Sequence, residues 1–248
     1  MLVRICLLAL GSLGIFWGAT ELPRFWRDAH LIQISKRIEG GELYKGEVIA
    51  ALMPEVEAAE RSGANCRPQA DHAAAVIRLR ILEDAIADED NQTIDRSMAE
   101  AGRAIHLALA CSPADPFLWS ALYRLEVTRS GFTGSDLALL RLSYLLGPNE
   151  GWIALKRNPL ALSVYRQLPA DLQKAALDEF AGLLRTGRLY QETVAIFTGA
   201  GWPVRDLLLA RIADLPERDR DTFSRILYRE GYDVAVPGIK RSDPRPWD

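Results

Sequence analysis

The stretch AGRAIHLALACSPADPFLWSALYRL, residues 101–125, decides the fold class. Ala101, Ile105 and Ala108 recur at intervals of four and three residues, which places them on one face of a helix. Pro113 stops that helix, because a proline cannot continue it. Trp119 and Leu122 then repeat the helical spacing. The stretch therefore predicts two amphipathic helices joined by a short turn, and an all-α fold.

The same helical spacing extends in both directions from this stretch, and alternating strand patterns are nearly absent. Gly, Pro and Asp/Asn residues separate the periodic segments. We expect a kink or a restart at Pro54, inside the second helix. The predicted helices cover residues 24–38, 45–61, 68–87, 93–110, 117–129 and 136–146, then shorter segments at 150–156, 159–167, 170–185, 190–198, 204–213 and 217–228.

Helix pairs with a period near 34 residues resemble tetratricopeptide repeats. The repeat core would comprise Ala101, Ile105, Ala108, Pro113, Trp119 and Leu122, and the next terminating proline would be Pro148. Tyr123 and Glu126 depart from the family pattern, which has glycine and tyrosine there. The resemblance implies an α-solenoid of antiparallel helix pairs. It divides the chain into an anchor at 1–20, leading helices at 21–63, repeat-like pairs at 64–148, shorter helices at 149–233 and an extended or disordered tail at 234–248.

Residues 5–20, ICLLALGSLGIFWGAT, carry no charge and follow Arg4. A cleaved signal peptide and an uncleaved transmembrane anchor both have this pattern, and a buried core helix is a third reading. Phe16 and Trp17 crowd the cleavage positions, and Trp17 suits a membrane interface. We therefore favour a single-pass anchor in the inner membrane. Charges flanking the segment do not decide its orientation, but short anchors of this type usually leave the C-terminal bulk in the periplasm.

Cys66 and Cys111 flank a predicted helical hairpin, and Cys6 lies in the apolar segment. In an antiparallel pair, the start of the first helix and the end of the second lie side by side. We therefore predict a Cys66–Cys111 disulfide, which requires an oxidising compartment and so agrees with export. The alternative is two buried thiols in a cytosolic protein.

Composition and motifs exclude several function classes. The net charge of −3 argues against nucleic acid as a partner. The histidines, His30, His72 and His106, form no metal-ligand pattern, and no phosphate-binding, dinucleotide-binding or nucleophile motif occurs. The acidic turn at 88–95 lacks the glycine and the terminal glutamate of a calcium loop. We predict no catalytic, cofactor-binding or metal site, and therefore no cofactor.

The expected function is that of a non-catalytic scaffold, tethered to the membrane, that binds protein partners in the envelope. The segment from Ala108 to Trp119, together with Cys66, is similar to membrane-anchored helical proteins of bacterial surface-polysaccharide loci. This resemblance implies a role in polysaccharide synthesis or export. A domain that binds a glycan or a small ligand is the second hypothesis, with Trp202 as an exposed contact, and a helical enzyme is the third. Neither the partner nor the oligomeric state follows from the sequence.

Overall fold

A computed structural model describes residues 2–61, 66–89 and 91–240. Within these ranges the chain is all-helical, and no strand occurs. Short 3-10 turns cover Gly134–Asp136, Tyr165–Gln167 and Trp202–Val204. The α-helices are α1 Leu2–Glu39, α2 Gly46–Ala51, α3 Met53–Arg61, α4 Pro68–Ala87, α5 Asn91–Cys111, α6 Pro116–Ser130, α7 Leu137–Leu146, α8 Gly151–Ser163, α9 Ala170–Arg185, α10 Tyr190–Thr198, α11 Arg205–Ile212 and α12 Glu217–Arg229.

The chain divides into two compact units, Met1–Ala114 and Asp115–Asp248. The division lies inside the segment 64–148 that the sequence groups as repeat-like pairs. Each unit has a hydrophobic core of its own, so each is described separately.

In the N-terminal unit, the second half of α1 packs with α3 on α4, and α4 forms an antiparallel pair with α5. Leu31, Ile49, Val56 and Ile77 are among the buried core residues. The alanine-rich sequence of α4 allows this crowding, because small side chains let neighbouring helices approach closely. The helix is consequently buried on more than one side along most of its length.

The C-terminal unit packs around three phenylalanines. The rings of Phe180, Phe197 and Phe223 lie with centroids 5.3 to 6.2 Å apart, and all three side chains are fully buried. Tilted and edge-on ring pairs of this kind add to the stabilisation from apolar burial. After α12 the chain has no regular secondary structure from residue 232 to 240, but Val236 is buried against this core. The segment 234–240 is thus a packed strap rather than a free tail.

Most predicted helices are present, and the differences arise at prolines. The helix predicted to begin after Pro23 is instead the continuation of α1, which runs unbroken from Leu2 to Glu39. Residues 150–156 and 159–167 were predicted as separate helices, but α8 continues through Pro159 to Ser163. One missing backbone hydrogen bond does not end a helix whose neighbouring turns are well bonded and packed.

Pro54 lies at the second position of α3, after a break at Leu52, as the expected restart requires. The predicted turn at 62–63, position 90 of the acidic turn and residues 241–248 of the predicted tail lie outside the described residues.

Candidate functional site

The first half of α1 is an exposed apolar helix. Val3–Thr20 is long and apolar enough to cross a membrane, and none of this window is buried against the rest of the structure. Apolar side chains in this number are not expected to remain in water. A signal sequence has the same properties, so the structure agrees with both the anchor and the signal-peptide interpretation.

The second half of α1 is fastened to the N-terminal unit. Leu31 and Ile34 are buried, Asp28 accepts hydrogen bonds of 2.8 and 2.9 Å from Arg67, and Glu39 pairs with His72. Leu31 is eleven residues beyond Thr20, which corresponds to about 16 Å of helix. The apolar segment is therefore continuous with a helix that belongs to the packed unit, rather than joined to it by a flexible linker.

The predicted disulfide is present. Cys66 and Cys111 are bonded, with their Cα atoms 5.3 Å apart, and they connect the start of α4 to the end of α5. The carboxylate of Asp71 lies beside the two sulfurs, and these three residues are a potential metal-ligand group among the described residues. Both sulfurs are engaged in the disulfide, so neither is available as a thiolate. Asp71 instead accepts a hydrogen bond from the backbone N–H of Arg67.

A buried polar cluster lies between α7, α8 and α9 in the C-terminal unit. The side chain of Arg157 is 0% exposed, and its guanidinium donates to Glu179 Oε1 at 2.5 and 3.1 Å. It also donates to the carbonyl and hydroxyl oxygens of Ser143, at 2.6 and 2.9 Å, and to the Gly147 carbonyl at 3.0 Å. One arginine thereby connects three helices through bonds that no solvent can replace.

Glu179 is satisfied by several donors besides Arg157. Its Oε2 accepts from the Tyr144 hydroxyl at 2.8 Å and from the Asn158 amide at 3.3 Å. Burial raises the pKa of Glu179, and Arg157 opposes this effect only in part. Burial, together with the adjacent carboxylate, also raises the pKa of Tyr144 well above its usual value. Every ring and carboxylate in the cluster is held by another member, which is the arrangement of a structural network.

An open groove of about 710 Å³ lies above this cluster. One face of α9, from Ala175 to Thr186, forms its floor, with the start of α8 on one side and Arg211 of α11 on the other. Asp178 is bound by Lys174 and Arg211 at 2.5 and 2.6 Å. Burial opposes ionisation of Asp178, but the hydrogen bonds from these two cations outweigh it and lower its pKa. We define the α9 groove as this depression.

A smaller groove of about 450 Å³ lies in the N-terminal unit, between α3, α4 and α5. Arg78 is nearly buried there and binds Glu60 through two nitrogens, at 2.8 and 2.9 Å, and Glu100 at 2.6 Å. The hydrogen bonds to Glu60 outweigh the effect of burial, so the pKa of Arg78 is raised. A guanidinium shared by two carboxylates fastens three helices and leaves no donor fork free for a ligand.

The structure separates the residues predicted as the repeat core. Ala101, Ile105 and Ala108 are buried in α5, and Pro113 is exposed after that helix. In α6, Leu122 is buried but Trp119 is only half-buried. Tyr123, which departs from the repeat pattern, is buried in the core of the C-terminal unit.

Trp202 is 36% exposed, in a 3-10 turn before α11. Its ring contacts Phe197 edge-on at 6.0 Å and Tyr232 at 5.5 Å, and the guanidinium of Arg205 lies 5.0 Å from the ring centroid. The exposed fraction agrees with the expectation, but neighbouring side chains already cover much of the indole.

Sequence reasoning missed Arg157, Asn158 and Glu179. A signal was present, because Arg157 and Asn158 lie on the same face of α8 as Ile153, Ala154 and Ala161. A charged residue on an apolar helical face predicts a buried partner, although it does not identify that partner.

Comparison with known proteins identifies no relative: the chain matches no protein-family model, no curated protein and no solved structure. The resemblances to tetratricopeptide repeats and to proteins of polysaccharide loci therefore stay predictions.

Proposed function

We propose that this chain is a non-catalytic scaffold that a single N-terminal helix tethers to a membrane, and that its helical units bind a protein partner in a bacterial envelope. The observation that carries the proposal is the continuity of α1. Its exposed apolar segment, Val3–Thr20, leads without a break into turns that are packed in the N-terminal unit. A helix of this kind would hold the unit close to the bilayer surface.

The Cys66–Cys111 disulfide supports the periplasmic side. Disulfides persist in the periplasm and are rare in the cytosol, where thiols are kept reduced. An inner-membrane protein with its C-terminal bulk in the periplasm satisfies both the disulfide and the apolar helix. The resemblance to proteins of surface-polysaccharide loci places the proposed partner in polysaccharide synthesis or export.

Two antiparallel pairs support the tetratricopeptide-like part of the proposal. The disulfide marks α4 and α5 as one pair. In the other pair, the Ser143 hydroxyl near the end of α7 donates to the Pro116 carbonyl at the start of α6, at 2.6 Å. Stacked helix pairs of this kind commonly present extended surfaces to protein partners.

A glycan-binding domain is the second candidate, and Trp202 is the residue that would favour it. Sugar-binding aromatic rings need an open face. Here Arg205, Phe197 and Tyr232 occupy the surroundings of the indole, so we rank this function below the scaffold.

The test combines topology with partner capture in cells. C-terminal reporter fusions, one active only in the periplasm and one only in the cytosol, should give periplasmic activity in the membrane fraction. Blocking of free thiols before and after reduction should show Cys66 and Cys111 protected and Cys6 free. A matched variant lacking residues 3–20 should leave the membrane fraction. A cytosolic C-terminus or reactive Cys66 and Cys111 would reject the periplasmic scaffold.

A further inference from the structure

We propose that the α9 groove docks an acidic helix of the partner protein, with small residues on its contacting face. This inference rests on the proposed scaffold function and specifies the surface that performs it. Three observations carry it: an unexplained glycine, the dimensions of the groove and its charge.

Gly182 lies inside α9 and lines the groove. Glycine in a helix interior is unfavourable relative to alanine. A Cβ atom built on Gly182 would meet nothing within 4 Å, so no packing in this chain requires the missing side chain. By contrast, a Cβ on Gly201 would lie 2.7 Å from Leu208 and 3.0 Å from a carbonyl oxygen. The small size of Gly182 is therefore explained by something that approaches from the open side.

The groove has the dimensions of a helix rather than of a compact ligand. Its floor extends along α9 from Ala175 to Thr186, eleven residues or about 16 Å. Gly151 and Ala154 line it from α8, and Ala175 and Gly182 line it from α9. Small residues on two adjacent helices permit a third helix to approach at the short end of helix packing distances. About three turns of a partner helix would fit along this length.

The charge around the groove favours an acidic partner. Glu179 is paired with Arg157 beneath the floor, and Asp178 is bound by both Lys174 and Arg211. Arg185 lines the groove, is exposed and has no ion-pair partner among the described residues. The two carboxylates are thus outnumbered by four cations. Carboxylates flanking the apolar face of an incoming helix would meet this excess at the rim.

The probes are two synthetic 18-residue helical peptides with the same alanine-rich face. One carries glutamates on both flanks of that face, and the other carries lysines. The full-length protein in nanodiscs is titrated into each labelled peptide, and fluorescence anisotropy reports binding. We expect the glutamate peptide to bind at least tenfold more tightly than the lysine peptide at low ionic strength. The difference should shrink as salt is added, because the rim charges are exposed.

Two variants test the groove directly. Gly182→Leu fills the floor and should weaken binding of the glutamate peptide at least tenfold, while its melting temperature stays at or above that of the wild type. Gln191→Leu adds similar bulk at an exposed position that does not line the groove, and should bind as the wild type does. Arg185→Glu should shift the preference towards the lysine peptide. Arg188→Glu, an exposed control also outside the lining, should not.

Equal binding of the two peptides, equal binding to Gly182→Leu and wild type, or no binding of either peptide would overturn the proposal. The scaffold function is read separately, by photo-cross-linking in cells from exposed positions in both units. Cross-links to one partner from positions outside the groove, with no peptide binding, would reject the groove and retain the scaffold. Peptide binding without any cross-linked partner would do the reverse.

Discussion

Replacing Arg157 with leucine tests whether the buried cluster fastens α7, α8 and α9. The substitution removes the guanidinium but keeps an apolar side chain in the space. It leaves Glu179 without its countercharge, and it leaves the carbonyls of Ser143 and Gly147 without a donor. Arg157 is fully buried, so water does not reach these groups without opening the packing.

The expected loss follows from that burial. Removing one member of a buried ion pair typically lowers the free energy of unfolding by about 3–5 kcal/mol, because a charge is left uncompensated. Orphaned carbonyls act in the same direction, although the effects within one network are not additive. A loss of this size is a large fraction of the roughly 5–15 kcal/mol that stabilises a typical domain.

Hydrogen exchange measured by mass spectrometry is the suitable assay, because it reports the opening of α8 and α9 separately from the rest of the chain. Protection in both helices should fall by the equivalent of about 3–5 kcal/mol. The double variant Arg157→Leu/Glu179→Leu should recover much of the loss, because no buried charge remains. As a control, removing the exposed Arg225–Asp221 pair should change protection by less than about 1 kcal/mol.

The pH dependence provides an independent check. Burial raises the pKa of Glu179, and the loss of Arg157 should raise it further. A carboxyl with a higher pKa in the folded than in the unfolded chain takes up protons on folding, so lowering the pH stabilises the folded state. The deficit of Arg157→Leu should therefore narrow as the pH falls from 7 towards 5. A deficit below about 1 kcal/mol, or one independent of pH, would refute the reasoning.

Three further predictions concern other parts of the chain. Replacing Cys66 and Cys111 with serine should lower the free energy of unfolding of the N-terminal unit by about 4 kcal/mol in the chain-entropy model, measured by urea unfolding with the reduced wild type as a control. Gly201→Ala should destabilise by about 1–3 kcal/mol, since its Cβ would clash with Leu208; an unchanged melting temperature would contradict the packing described. Asp178 has a lowered pKa, so its contribution is present above the ordinary aspartate pKa and disappears as the pH falls through the lowered value. Acid titration should show wild type and Asp178→Asn diverging at neutral pH and converging at low pH.

Local helix signals were sufficient to predict much of the secondary structure. The helices at 68–87, 170–185 and 190–198 have the bounds expected from the sequence. Each is marked by residues whose effect is local, such as Pro68 at a helix start or Gly187 after a helix end. Prediction was wrong at Pro23 and Pro159, where packing and bonding in the neighbouring turns outweigh the preference of one residue.

The candidate site was harder to predict, because its parts are distant in sequence. Arg157 and Glu179 are separated by 22 residues, and only the packing of α8 on α9 brings them together. The disulfide was predictable for the opposite reason. A helical hairpin has a simple geometry, so the positions of Cys66 and Cys111 along it were enough to indicate that they meet.

By itself the sequence determined the all-helical class, the exposed apolar segment and the cysteine pair, because helical periodicity, hydropathy and hairpin geometry act over one or two neighbouring elements. Only the tertiary structure decided that the chain forms two units, that Arg157 is buried and that Gly182 faces an open groove. These properties depend on which helix faces pack together, and packing is set by the summed burial of many side chains rather than by any local pattern.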